Sequence, residues 1–250
     1  MSDAHKDELV LSYTRVRFAL GVLGFLLPVV LILGGLLDTP RVDRGVPDIE
    51  ATISDFYHTI YRDIFVGCLC AIGVFLISYR GYRREPGEVI DDDWLATIAG
   101  IAAFGVAFFP NEAGGEVVVA VTQNHIGLGI TPVIHYSFAL VFFLCLATFC
   151  LYKFPKNAKR HRRRVYLTCG WVIVAALLLT AVCVYFKRFT VDNAVREMVL
   201  DNNLIFWFET IGIWAFAVSW LAKSKADLVL AQKVRRGPAG VIEDDDSVLP

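Results

Sequence analysis

Charge is what this chain has least of. Only 20% of its 250 residues are Asp, Glu, Lys or Arg, while 56% are apolar and mean hydropathy is +0.55. The apolar residues come in blocks, so composition points away from a soluble domain and toward an integral membrane protein. Also lacking are a glycine-flanked nucleophile elbow, a GxxxxGK phosphate loop and a redox motif. Nor is there a free basic patch: net charge is −1 and the basic residues sit beside apolar runs, so no nucleic-acid partner is expected. All six cysteines, Cys68, Cys70, Cys145, Cys150, Cys169 and Cys183, fall inside apolar runs and read as small hydrophobes. No small-x-small cleavage site follows Phe18 to Leu37, and that run exceeds the ~7 to 15 residues of a signal core, so it reads as a retained helix. No internal repeat is found.

Crossing a bilayer core takes about 20 residues at 1.5 Å each. Six runs reach or approach that length: 18–37, 60–79, 94–109, 133–154, 165–186 and 204–222. The third is short and has to be met by local thinning or flanking residues. The expected fold is all-α, a polytopic bundle of six transmembrane helices spanning 18–222. Orientation follows from Lys and Arg. Of 24 such residues, only Arg41, Arg44, Arg62, Lys187, Arg188 and Arg196 fall on one side of six crossings. The opposite, basic side is therefore cytoplasmic and holds both termini: segment 1–17, and a tail 223–250 that starts as a helix through about Ala231 and ends disordered and acidic at Glu243 to Asp246. The loop from Pro110 to Pro132 has no Lys or Arg and is an outer loop. Its β-prone run Val117 to Thr122 suggests a small hairpin. Ala96 with Gly100, and Ala215 with Ser219, have the four-residue spacing of close helix contacts.

With depth assigned, the polar residues fall together. Ser54, Asp55, His58, Arg62 and Asp63 lie at the outer end of the second run, His135 opens the fourth, and Glu209 is one to two turns into the sixth. Ionisable groups at such depth cost about 2.5 to 3.5 kcal/mol on insertion scales and face the bundle interior with a partner. For Glu209 the expected partner is Arg62 or a protonated His58. If 54–63 is one helix, Ser54, Asp55, His58 and Arg62 share a face, and Ser54 or Asp55 can act as its N-cap. Three chemistries can use this set. A headgroup pocket would hold a phosphate or carboxylate on Arg62 and His135. A zinc site would draw ligands from His58, His135, Glu209 and His125 or Asp63. An ion-pair lock would tie helices through Arg62 and Glu209 and need no ligand. A serine hydrolase is disfavoured, because Ser54 lies one turn from His58 with no glycine-flanked turn to expose it.

Ile53-Ser54-Asp55 before the second run, Ala99-Gly100-Ile101 in the third, His135 and Glu209 together resemble the six-helix DRAM-type family. That family includes proteins that process lipid anchors after GPI attachment, and bacterial relatives. This chain departs from the family's Ile-Ser-Asp-Thr-Gly-Thr by placing Phe56-Tyr57-His58 before Thr59. The resemblance implies a multi-pass protein with lipid partners, no set cofactor, and, from its small relatives, a bacterial inner membrane. Ser54-x-x-x-His58 followed by Asp63 is similar to a pattern of the CREST group of seven-helix, metal-dependent lipid hydrolases, whose closing His-x-x-x-His this chain lacks.

Overall fold

The computed structural model describes residues 3–37, 49–81, 90–112, 120–156, 158–191 and 194–235. All regular structure among them is helical. The helices are α1 (Asp3–Leu37), α2 (Arg62–Ile77), α3 (Asp92–Phe108), α4 (Val121–Ile126), α5 (Thr131–Thr148), α6 (Arg160–Phe189), α7 (Ala194–Asp201) and α8 (Leu204–Arg235), with a 3₁₀ turn at Ser54–His58. Residues 149–153 carry α5 on as one π turn, closed by Phe154 N–H donating to Phe149 O. Each apolar run of the sequence overlaps one of the six longer helices. Four helical stretches, Thr14–Leu37, Thr131–Lys153, Arg160–Phe189 and Leu204–Ser224, are long and apolar enough to cross a membrane. Helices α2 and α3 have 16 and 17 residues, roughly 24 to 26 Å at 1.5 Å per residue.

The six longer helices form a closed ring in chain order: α1 packs on α2, α2 on α3, α3 on α5, α5 on α6, α6 on α8, and α8 back on α1. Neighbours run antiparallel. Along α1 and α8, for example, Gly21 faces Leu221 while Phe25 stacks on Trp214, so the numbers rise on one helix as they fall on the other. The start of α1 and the end of α8 therefore lie at one end of the bundle. Large apolar side chains point outward from every helix of the ring, among them Phe18, Val74, Ile101, Leu140, Leu178 and Val218. In water such a surface would be costly, at about 25 cal/mol per Å².

At the end holding both termini the core is aromatic. Trp220 on α8 sits 5.2 to 5.8 Å, ring to ring, from Tyr79, Phe149, Phe154 and Phe216. Buried Arg17 donates to Tyr79 Oη at 2.8 Å, and Lys153 from the π turn reaches Ile90 O and Asp92. Asp91 caps α3 by accepting from Trp94 N–H. The small-residue spacings also locate contacts. Helices α2 and α3 touch backbone to backbone where a Cβ on Gly100 would lie 2.7 Å from Gly73 O, and buried Ser219 accepts from Cys150 Sγ.

Three local expectations change. Residues 54–63 are not one helix: Thr59 is extended (φ −115°, ψ 177°) and separates the 3₁₀ turn from α2. Its hydroxyl donates to Phe56 O and accepts from Tyr61 N–H, which stabilises the break. Neither Ser54 nor Asp55 is the cap; Thr52 Oγ1 accepts from Asp55 N–H. Of the hairpin expected over Val117 to Thr122, residues 117–119 lie outside the described residues, and Val121–Ile126 is helical. The chain turns out of that helix at Gly127, whose φ of 99° suits glycine alone. The helix continued after Ala222 runs to Arg235, and the tail 240–250 lies outside the described residues.

Candidate functional site

The other end of the bundle gathers the polar residues, and the segment 49–59 brings them there. It folds over the start of α8, where helical N–H groups lack intrahelical partners. Phe206 N–H donates to Ala51 O at 3.1 Å and Asn203 Nδ2 to Ile49 O at 3.1 Å. Glu209, about 7.5 Å along α8 by helix rise, returns the contact: its Oε2 accepts from Ile53 N–H at 2.8 Å. Glu209 thus meets neither Arg62 nor His58. A carboxylate on a buried backbone donor fixes both the depth and the direction of the segment.

Beside Ile53, Ser54 points into the bundle and meets His135. His135 Nδ1 lies 2.7 Å from Phe109 O, and Nε2 lies 2.9 Å from Ser54 Oγ. A carbonyl can only accept, so Nδ1 carries the proton, and Nε2 accepts from the Ser54 hydroxyl. Both side chains are buried, His135 to 1% exposure and Ser54 to 9%. The histidine that faces Ser54 is therefore 81 residues away in sequence, not one turn away.

A second network adjoins the first through Asn111, two residues beyond Phe109. Asn111 Nδ2 donates to Asp55 Oδ1. His58 Nε2 is 3.2 Å from Asn111 Oδ1 and 3.3 Å from Asn111 O, both acceptors, so this nitrogen carries the proton. Lys187 Nζ stands 4.0 Å from Asp55 Oδ2, linking the segment to the end of α6. Next to it Arg188 pairs with Glu112 and lies 5.1 Å over the Tyr136 ring, and Tyr136 Oη donates to Glu112 Oε2 at 3.4 Å.

Between α5, α6 and α8 is a cavity of about 270 Å³. Thr52, His135, Tyr136, Glu209, Glu112, Lys187 and Arg188 line its polar part, and Ala139, Leu140, Phe143, Ala176, Leu177 and Ala181 are among its apolar walls. A smaller cavity of about 40 Å³ adjoins it, lined by Ser54, Glu209 and apolar side chains that include Leu27, Phe65 and Phe142. Ala139, Phe143 and Glu209 line both, so a single layer of side chains separates the two.

Of the residues singled out in the sequence, Ser54, His135 and Glu209 converge on these cavities, and Asp55 and His58 meet through Asn111. Arg62 stacks on Tyr57, its guanidinium 4.3 Å from the ring centre, and donates to Tyr57 Oη at 2.7 Å. Asp63 and His125 are exposed, His125 on α4. No group of three or more His, Cys, Asp or Glu side chains is placed to share a metal ion among the described residues. The chemistry of His135 agrees with that geometry, because both of its ring nitrogens are engaged. Sequence reasoning missed Asn111, Tyr136 and Glu112, and counted Lys187 and Arg188 only for topology. The usable signal for Lys187 and Arg188 was their place on the side otherwise poor in cations. Nothing in the sequence singles out Asn111. No protein-family profile, no curated protein and no solved structure matches this chain.

Proposed function

We propose that this protein is a six-span membrane protein that binds an anionic lipid in the cavity between α5, α6 and α8, from the outer leaflet. The observation that carries the reading is the make-up of that cavity. One part is lined by Ala139, Leu140, Phe143, Ala176 and Leu177, and the other by Lys187, Arg188, His135, Thr52 and Tyr136 together with Glu112 and Glu209. An acyl chain suits the first and a phosphate or carboxylate the second, where Lys and Arg serve as charge partners. Lys187 and Arg188 already face Asp55 and Glu112. An incoming headgroup would therefore exchange partners with carboxylates and would not need new cations to be drawn in.

Six crossings are the reading for α1, α2, α3, α5, α6 and α8, with both termini cytoplasmic. Support comes from the antiparallel ring, the apolar outer surface and the excess of Lys and Arg at the end holding the termini. Helices α2 and α3 are matched to a ~30 Å core by bilayer thinning and by their flanking residues. The resemblance to DRAM-type proteins adds the expectation of lipid partners in a bacterial inner membrane.

The test is lipid retention. The purified chain, analysed by native mass spectrometry from nanodiscs of mixed phosphatidylglycerol and phosphatidylcholine, should keep phosphatidylglycerol in preference. Ala176→Trp, which fills the apolar wall, should abolish retention, and Lys187→Gln with Arg188→Gln should remove the headgroup preference. Equal retention by all three proteins would reject the site.

A further inference from the structure

We infer that Ser54 is an acyl-accepting nucleophile with His135 as its base, and that the bound lipid is cleaved at an acyl ester. This rests on the lipid-binding reading above. The Ser54 hydroxyl is held 2.9 Å from an unprotonated imidazole nitrogen whose tautomer is fixed from behind by Phe109 O at 2.7 Å. That is the geometry by which a weak hydroxyl nucleophile is activated: a base within hydrogen-bond reach, itself oriented by a third group. The ester of a lipid in the large cavity reaches Ser54 by displacing the layer of Ala139, Phe143 and Glu209 that separates the two cavities. Ser54 faces the small cavity and His135 the large one. The large cavity joins an acyl-compatible wall to a headgroup-compatible one, and the ester of a glycerophospholipid lies between its chain and its phosphate.

The step balances without a further reactant. Ser54 Oγ bonds to the ester carbonyl carbon and its proton passes to His135 Nε2. The ester C–O bond then breaks, the Nε2 proton goes to the departing glycerol oxygen, and a lysophospholipid leaves. Water attacks the acyl-Ser54 carbonyl and gives a proton to Nε2. As the C–Oγ bond breaks, that proton returns to Oγ, and a fatty acid is released. The small cavity, at about 40 Å³, has room for at least one water, which needs roughly 10 to 15 Å³. Throughout, Nδ1–H stays on Phe109 O.

The experiment uses the full chain in phosphatidylglycerol nanodiscs, treated with an alkyl fluorophosphonate and mapped by peptide mass spectrometry. In parallel, free fatty acid is measured by mass spectrometry. The wild-type protein should carry the adduct on Ser54 and release fatty acid, and Ser54→Ala should do neither. His135→Gln keeps an acceptor for the hydroxyl but cannot take its proton, so it should slow labelling at least ~100-fold, within the usual range for a general base. Melting temperatures are compared, and if Ser54→Ala does not fold, Ser54→Cys takes its place and should form a thioester detectable by mass. An unmodified Ser54 with no fatty acid released, in protein that retains phosphatidylglycerol, overturns the nucleophile and leaves lipid binding standing. Loss of both retention and labelling overturns both. Equal labelling rates in wild type and His135→Gln overturn the role of His135.

Discussion

Removing the Glu209 carboxylate should release the segment that carries Ser54. In Glu209→Ala the Ile53 N–H loses its acceptor, 2.8 Å away, while Ile53 itself is only 3% exposed. A buried donor left without its acceptor costs about 1 to 3 kcal/mol. Since each 1.4 kcal/mol is tenfold in an equilibrium, local opening of 49–59 should become about 10- to 100-fold more frequent. The remaining ties, Phe206 N–H to Ala51 O and Asn203 to Ile49 O, keep the segment attached at its start, so the effect should centre on Ile53 to His58. Hydrogen–deuterium exchange in nanodiscs reads it directly: peptides covering 53–58 should exchange faster by that factor while peptides of α3 stay unchanged. Glu209→Gln keeps a side-chain carbonyl acceptor at the same reach and should keep most of the protection. Unchanged exchange in Glu209→Ala would refute the reasoning, and so would equal losses in the Ala and Gln variants, because then the acceptor would not be what holds the segment.

Two other outcomes follow from the fold. Gly100→Ala places a Cβ 2.7 Å from Gly73 O, and a backbone atom cannot rotate away. Helices α2 and α3 must separate, at about 1 to 3 kcal/mol, which thermal unfolding in detergent should show; Gly67→Ala, with nothing near its Cβ, should not destabilise and should gain up to about 1 kcal/mol from helix propensity, and serves as the control. The sidedness is checked by thiol labelling in inverted and right-side-out vesicles, in a background with the six native cysteines replaced. A cysteine at exposed Asn124 should react only from the outside and one at exposed Arg160 only from the cytoplasm; the reverse pattern would invert the bundle.

The helices were legible because membrane helices are written in blocks of apolar residues, and six such blocks coincide with the six members of the ring. That His135 and Glu209 would lie at the depth of the outer end of the second run was legible for a related reason, although the expected pocket also held His58, Arg62 and Asp63. Once depth along each run is known, ionisable groups at one depth have few places to go except toward each other. Contacts within that depth were not legible. That His135 meets Ser54 and not a carboxylate depends on where the 3₁₀ turn rotates Ser54, and that turn depends on Thr59 breaking the helix, a residue with no strong sequence signature. Arg62 was expected on Glu209, but the break at Thr59 sets it against Tyr57, where a guanidinium can stack and donate at once. Asn111 joins Asp55 to His58 from 53 to 56 residues away, and an uncharged amide in a loop offers a single-sequence reading nothing to detect.

The ring closes between its first and last members, and this ties the site to the order of synthesis. The Glu209 carboxylate comes from α8, and so do the N–H groups on which residues 49–59 rest. Until α8 is made, the segment bearing Ser54 has His135, Asn111 and Lys187 beside it but lacks the α8 groups that Ala51 and Ile53 bond. A chain stopped after α6 would hold Ser54, His135, Lys187 and Arg188, yet the cavity would lack its third wall and the turn its anchor. Synthesis of α8 and assembly of the polar site are thus one event, so a product stalled before α8 would carry the reactive groups without the geometry to use them.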